Sequence, residues 1–371
     1  MSKKIRVGIL FGGKSAEHEV SLQSAKNVYE AIDKNKYEVT LIGIDKQGKW
    51  HLSDAHKFLK NADNPKLIQM PRLDENLALV PGEKKQPLVK ASSRQYIGPI
   101  DVVFPILHGP LGEDGTIQGL LKLANVPFVG ASVLGSAIGM DKDVMKRLLR
   151  DAGLPIPKFL AFQIAGKKDL NFDFVADKIG CPFFVKPANL GSSVGIHRVA
   201  DKTEFAPATA DAFLYDTKIL FEENMEGREV ECSVLGNDNP IASTVGEIIT
   251  NKQKHQFYSY EAKYIDEAGA ILKIPAELTA AVIKRVQELA VQTFKILCCQ
   301  GMARVDFFLK NNEQVFVNEL NTIPGFTRIS MYPKLWEASG LSYSDLIDRL
   351  IQLALERFEN EQKLKTSVAL T

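Results

Sequence analysis

Short apolar runs alternate with stretches of helical spacing along this chain, the pattern of an α/β (α+β) protein. Residues 6–11 form an apolar run ending in Gly12-Gly13, and a helix period follows through Ala25, Val28, Tyr29 and Ile32. Residues 37–44 and 101–107 predict two more strands. Thr116 then opens a helix carried by Leu120, Leu121 and Ala124, and residues 126–129 predict a short strand. Residues 50–95 are polar, rich in Asn, Pro and Lys and poorly periodic, which reads as an irregular surface insertion. A helix starts at Asp141, whose carboxylate can cap its first turn. It presents Val144, Leu148 and Leu149 on one face and stops at Gly153 and Pro155. Strands over 183–186, 229–235 and 241–248, a polar loop over 250–274 and a helix over 278–297 follow, and the polar tail after Phe358 predicts fraying.

At ~150 residues per domain, 371 residues suggest two or three units. Forty-six basic and 45 acidic side chains leave a net charge of +1, which removes the long-range attraction that nucleic acid or an anionic membrane would need. Four cysteines, without a C-x-x-C pair, exclude a disulfide framework and a zinc site and predict small buried thiols in a reduced, cytoplasmic protein. The apolar start is broken at Gly12-Gly13-Lys14, too early for a signal peptide, and no apolar run approaches the ~18 residues of a membrane span.

Residues 303–309 and 314–321 are both strand-like, with 310–313 between them. Strand side chains alternate faces, so Arg304 shares a face with Asp306, and Glu319 with Asn321. A turn centred between Asn312 and Glu313 puts Asp306 opposite Glu319 and Arg304 opposite Asn321. Opposed carboxylates repel unless a cation or proton lies between them. Asp, Glu and Asn form an oxygen-only set suited to Mg²⁺; a solvated face of alternating charge fits the same spacing, and on spacing alone both readings stand. The hairpin runs into Thr322-Ile323-Pro324-Gly325-Phe326, a tight turn whose N–H groups can face an anion.

Lys186 ends an apolar strand, and Gly191-Ser192-Ser193-Val194-Gly195 follows, a loop open enough to approach phosphate oxygens although it is not a Walker A sequence. Lys142 sits just inside a helix start, where a cation is disfavoured, which mildly favours a phosphate role. Glu222 and Glu223 end a strand and Glu229 begins the next; they suit hydrogen bonding to a nucleoside or plain solvation equally. Glu17 follows the first strand, where it can hold an ammonium or serve as a first-turn carboxylate. His108 ends the third strand, and bare sequence favours a structural role for it. Residues 258–264 combine aromatics with Glu261 and Lys263, a loop able to close over a site.

Taken together, Lys142, Lys186 with the 191–195 loop, and Arg304-Val305-Asp306 with Glu319-Leu320-Asn321 resemble the ATP-grasp superfamily. Residues 12–22, His108 through Gly115, Glu261-Ala262-Lys263-Tyr264 and Asn321 through Phe326 narrow the resemblance to the D-alanine–D-alanine ligase family, over about residues 3–358. The resemblance implies an ATP-grasp fold behind a doubly wound N-terminal α/β domain. Its divisions are 1–135, which helps bind the first D-alanine, then 136–221 and 222–371, which clasp ATP. It implies that Asp306, Glu319 and Asn321 hold two Mg²⁺ (or Mn²⁺) ions. Lys142, Lys186, Ser193 and the lid's Lys263 meet the ATP phosphates, and Glu222 and Glu229 the adenine and ribose. Glu17 accepts the first D-alanine ammonium with His108 nearby, and Ser330 and Met331 line the second D-alanine pocket. Arg304 and the Gly325 backbone donate to an oxyanion, while Glu17, Ser192 and Tyr264 link glycine loop and lid. It further implies a homodimer and a role in cell-wall precursor synthesis. Pro110 departs from the commonest family form and should stiffen its loop. Relatives making D-alanyl-D-lactate or D-alanyl-D-serine are the nearest rivals, and the 261–264 lid favours the dipeptide. A nucleotide-binding regulator without catalysis would have to retain the hairpin, lysines and lid for no chemical purpose.

Overall fold

Strand β1 (Ile5–Gly12) is apolar at most positions because both of its faces are covered. The structure, a computed structural model, describes residues 3–54, 59–60, 67–71, 75–82, 87–250 and 270–365. Val7, Ile9 and Phe11 join one core and Leu10 the opposite one. β1 lies between β2 (Tyr37–Ile44) and β6 (Val102–Ile106), parallel to both. Helix α1 (His18–Ala31) packs on one face and α2 (Thr116–Leu123) on the other, so this sheet is doubly wound. Beyond β2 the short strands β3 (Trp50–Ser53), β4 (Asn76–Leu79) and β5 (Leu88–Lys90) extend it antiparallel, in the order β5-β4-β3-β2-β1-β6. The irregular insertion read over residues 50–95 is therefore partly a sheet edge, built from strands too short for a period to register. The strand read at 126–129 reduces to one bridge, Val103 with Phe128; Pro127 removes an N–H from a run that short.

Two helices lead out of this unit, of which the pattern read only the second, from Asp141. α3 (Val133–Met140) runs across residue 135, and α4 (Lys142–Asp151) follows, its first turn capped by Asp141, which accepts from the N–H groups of Asp143 and Val144. The buried face of α4 carries Met145 and Leu149 together with Lys142 and Lys146, whereas Val144 and Leu148 are only half-buried.

The second sheet is antiparallel throughout, in the order β7-β10-β8-β9, from β7 (Phe159–Gln163), β8 (Phe183–Pro187), β9 (His197–Val199) and β10 (Lys218–Glu223). Helices α5 (Phe172–Ile179) and α6 (Lys202–Tyr215) cover one face over an aromatic core in which Phe205 meets Phe172, Phe183 and Phe221. β10 spans the 221/222 junction.

The third sheet has the order β13-β12-β11-β14-β15. Its strands are β11 (Arg228–Gly236), β12 (Ile241–Thr250), β13 (Ala270–Lys273), β14 (Gly301–Lys310) and β15 (Gln314–Asn321). The loop read over 250–274 thus ends in a strand. Helix α7 (Ala280–Ile296) packs on one face against Val230, Cys232, Val305, Phe307, Val315, Val317 and Leu320. After α8 (Met331–Ala338), α9 (Tyr343–Gln362) returns to the first sheet and buries Leu346, Leu350 and Ile351 with Val7, Ile9 and Phe104. α9 continues past Phe358, where fraying was expected. Of the four free cysteines, Cys232 and Cys299 are buried as expected, but Cys181 and Cys298 are exposed.

Candidate active site

The face of the third sheet turned away from α7 carries charge. Glu231 on β11, Asp306 on β14 and Glu319 on β15 lie in one cross-strand row, Glu231 opposite Asp306 and Asp306 opposite Glu319. Arg304 and Asn321 face each other in the next position of their face. The expected pairing of Asp306 with Glu319 is therefore present, but a turn centred between Asn312 and Glu313 does not produce it. Lys310 pairs with Gln314, so the tip is one residue short of that register, and the register shifts between Asp306 and Phe307. Asn318 is the extra residue of a β-bulge. It is why Val315, Val317 and Leu320 all reach the α7 core, while Glu319 faces Asp306.

Charge on this face is compensated locally. Arg304 donates from Nε and Nη2 to the two Asp306 oxygens at 2.7 Å each, and its Nε lies 2.9 Å from Glu231 Oε2. Asn321 Nδ2 donates to Asp306 Oδ2 at 3.0 Å, leaving its amide oxygen as an acceptor. Lys142 Nζ stands 3.3 Å from Glu319 Oε2 and donates to the Leu190 carbonyl at 2.7 Å, tying α4 to both the hairpin and the glycine loop. Among the described residues no three His, Cys, Asp or Glu side chains gather closely enough to hold a metal alone. The donors Asp306, Glu319 and Asn321 are all hard oxygens, and they fit a Mg²⁺ ion that takes its remaining ligands from water and phosphate.

On the second sheet, Glu222 is 1% exposed and each of its oxygens meets a lysine: Lys186 Nζ at 2.5 Å and Lys146 Nζ at 2.6 Å. Burial alone would push the Glu222 carboxyl up, but the two ammonium groups outweigh it and hold the carboxyl below its ordinary range. Glu222, expected as a nucleoside contact, is thus first of all the counter-ion of these lysines.

The glycine loop meets the first unit directly. Ser192 Oγ donates to Glu17 Oε1, and both side chains are buried. Ser192 and Ser193 are both left-handed, at φ 52° and 60°, the strained conformation of a loop shaped for a site. Gly109, at φ 76°, lets the chain pass Glu17: a Cβ there would come within 2.9 Å of Glu17 Oε2. His108 Nδ1 lies 3.0 Å from the Ile323 carbonyl and its Nε2 3.3 Å from Ser24 Oγ. Ser24 in turn accepts the Phe326 N–H, so the network closes with a neutral imidazole that donates from Nδ1. Burial lowers the His108 pKa, against the pull of Glu17 and the Ile323 carbonyl. Glu113 accepts from the N–H groups of Gly109 and Ile323 at 2.7 and 3.2 Å, which pins the loop before α2 to the turn after β15.

One cleft is lined by Glu17, His108, Glu113, Ser192, Glu231, Arg304, Glu319, Asn321, Gly325, Ser330 and Met331, among others. Asp306 joins it through Arg304. At Gly325 a Cβ would come within 2.7 Å of Ser330 Oγ and would force that hydroxyl to move, and Ser330 Oγ also accepts the Thr327 N–H. Lys142, Lys186, Ser193, Glu222 and Glu229 stand outside this lining, Lys142 reaching it through Glu319 and Glu229 paired with Phe308 one step along β11 from the carboxylate row. Lys263 and Tyr264 lie outside the described residues. Sequence reasoning missed Glu231, Glu113 and Lys146. Glu231 alternates with Glu229 along β11, on the face opposite Val230 and Cys232, and that alternation was the one signal able to find it.

Two family models match the chain. The model described as "D-ala D-ala ligase N-terminus" matches residues 6–131, and "D-ala D-ala ligase C-terminus" matches residues 148–352. A relative named D-alanine–D-alanine ligase from Shouchella clausii is 57% identical over 368 residues, 99% of each chain. Among solved structures, the D-alanine-D-alanine ligase from Coxiella burnetii superposes with a TM-score of 0.81 at 38% identity, covering 97% of this chain and 98% of that one. The VanG D-Ala:D-Ser ligase from Enterococcus faecalis does so at 0.83 and 37%, covering 95% of this chain and 100% of that one.

Proposed function

Since the chain belongs to the D-alanine–D-alanine ligase family and has its ATP-grasp fold, we propose that it joins two molecules of D-alanine into D-alanyl-D-alanine, using ATP, for peptidoglycan precursor synthesis. One observation carries this reading. A single cleft brings together an ammonium acceptor (Glu17), the glycine loop, and a cationic and carboxylate strand face, which are the groups that activation of an amino acid by a nucleoside triphosphate needs. In this reading the three sheets correspond to three units, the first binding D-alanine and the other two clasping ATP.

A carboxylate is a poor electrophile, and converting it to an acyl phosphate makes the acyl carbon reactive. Glu17 holds the ammonium of the first D-alanine, with His108 and Glu113 fixing the loops around it. Lys142, Lys186 and the backbone of the 191–195 loop, with Ser193, neutralise and align the triphosphate, and Glu222 keeps Lys186 in place. Glu229 is assigned to the ribose end. The substrate carboxylate then attacks the γ-phosphate in line, the bond to the β-phosphate oxygen breaks and ADP is the leaving group, a step governed by positioning and charge. Asp306, Glu319 and Asn321 would hold two Mg²⁺ or Mn²⁺ ions, which would supply further neutralisation of phosphate charge. The second D-alanine, between Ser330 and Met331, attacks the acyl carbon with its free amine. Arg304 and the Gly325 N–H stabilise the tetrahedral oxyanion before phosphate leaves. Lys263 and Tyr264 are assigned to a lid that excludes water.

Among the described residues no helix is long and apolar enough to cross a membrane. A cytoplasmic homodimer belongs to the same proposal, and sedimentation of the purified protein tests its stoichiometry. The activity itself is tested by phosphate release from ATP and Mg²⁺ with D-alanine, with mass detection of product and with L-alanine or added D-lactate or D-serine as controls. D-alanyl-D-alanine formed with the D-isomer alone is expected; a depsipeptide or a D-serine dipeptide as main product would replace this reading. Asp306→Ala and Lys186→Ala should each lower kcat by about a hundredfold or more, and unchanged turnover in either would remove that residue's role.

A further inference from the structure

We propose that Lys146 is a positioning residue: it fixes the register of β15 so that Glu319 faces Asp306. The proposal rests on the reading above, in which these two carboxylates hold the divalent cation. Lys146 lies one helical turn after Lys142 on α4 and is 1% exposed. Its Nζ reaches Glu222 Oε2 at 2.6 Å and donates to the Asn318 carbonyl at 3.1 Å. It therefore touches the second sheet and the one residue of the third sheet that makes the bulge.

That bulge decides which way the metal-binding side chain points. Side chains alternate along a strand, so in an unbroken ladder Glu319 would follow Val315 and Val317 into the apolar core under α7. Asn318 shifts the parity, sending Leu320 to the core and Glu319 to the site. A bulge leaves one residue outside one-to-one pairing, and among the described residues β15 is the edge strand of its sheet, with no further strand to hold it. The covering segment takes that place. The Val317 N–H donates to the Pro155 carbonyl at 2.8 Å, and Lys146 binds the next carbonyl, that of Asn318. The Asn318 side chain is not what holds it: its Oδ1 is buried without a hydrogen-bond partner.

Stability alone is a poor account of this lysine. Lys146 and Lys186 share one carboxylate, Glu222, so the buried group carries one positive charge in excess, and Lys186 already pairs with Glu222 at 2.5 Å. Burial pushes the Lys146 pKa down, with Lys186 adding to the fall and Glu222 and Glu319 opposing it. A methionine of similar length would fill the same space and leave Lys186 and Glu222 balanced.

Lys146→Met is therefore the test, in the full-length protein, with Mn²⁺ binding followed by electron paramagnetic resonance in the presence of ADP. ADP affinity, melting temperature and kcat are measured on the same samples. Expected are a Mn²⁺ affinity weakened about tenfold or more and a matching fall in kcat, with ADP affinity within about threefold and melting temperature unchanged or raised. Asn318→Ala, which keeps the backbone carbonyl, should bind Mn²⁺ within about threefold of the unaltered protein. Wild-type Mn²⁺ affinity in Lys146→Met overturns the proposal, as does a parallel loss of Mn²⁺ affinity, ADP affinity and melting temperature, which would mark a structural residue only. Should Lys146→Met not fold, Lys146→Gln carries the same comparison with the same expected and overturning results. Failure of the unaltered protein to bind Mn²⁺ or form dipeptide would instead overturn the functional reading on which this one rests.

Discussion

Arg304 has two anionic neighbours with different futures. Asp306 holds it bidentately, yet Asp306 is also assigned to the cation; a carboxylate drawn to a divalent ion loosens its hold on a guanidinium. Glu231, 2.9 Å away and 4% exposed, is then the anchor that keeps Arg304 aimed into the cleft. Glu231→Gln should lower kcat about tenfold while leaving KM for ATP nearly unchanged; a rise in KM alone would assign Glu231 to nucleotide binding instead. Glu113 offers a test by pH. Burial, joined by the nearby Glu17 charge, lifts its carboxyl to about 8, against opposition from two N–H bonds and Lys142. A carboxyl with a higher pKa folded than unfolded stabilises the fold fully below its ordinary 4.5, and that stabilisation is lost as pH rises through 8. The melting temperature of the unliganded protein should fall between about pH 5 and about pH 8 and level off above that, and Glu113→Gln should flatten the fall; equal slopes would show that another group titrates. Glu17, Lys186 and Asp306 were legible in the sequence because polar groups at the ends or along the alternate face of apolar strands stand out. Lys146 and Glu113 did not, since a lysine on a helix and a glutamate in a loop are ordinarily solvated, and only the fold reveals them as buried.

At the level of elements, the hairpin was read correctly at its carboxylates for a reason its sequence does not display. Loop length and alternation define a register from the tip, and that register places Asp306 opposite Asn318; only the bulge restores Glu319. Bulges have no composition of their own, so an extra residue in a strand is invisible until parity is checked against a core, as Val317 and Leu320 allow here. Deleting Asn318 removes the extra residue, so Glu319 follows Val317 directly and stays opposite Asp306 in an unbroken ladder; Mn²⁺ binding should be kept within about tenfold. Mn²⁺ binding followed by electron paramagnetic resonance checks this, and loss of binding in the deletion variant would mean that Glu319 needs the bulge itself to reach the site. The strands between residues 50 and 90 escaped notice for the opposite reason: at three or four residues each, they hold too few positions to show a period, and β2 recruits them through its free edge.

Across the whole molecule, the units are not independent. Arg357, near the end of α9, is buried and donates to the Gly130 and Phe128 carbonyls at 2.5 and 2.6 Å, stacking over the Phe128 ring. Arg357→Ala should cost about 3 kcal/mol by the loss of two charge-assisted bonds, read as a lower denaturation midpoint although the residue is remote from the cleft; a change under about 0.5 kcal/mol, typical of a surface substitution, would mean the helix is held by its apolar face alone. That face shares one core with Val7, Ile9, Phe104 and Trp336, so residues more than 300 positions apart in sequence complete the same layer. The consequence is one of time. At ~5–20 residues per second, synthesis from β1 to α9 occupies roughly 20–70 seconds. Throughout that interval the part of the first sheet's face that α1 leaves open stands without its α9 cover, and a nascent chain in that state is a client for whatever binds exposed apolar surface beside the ribosome.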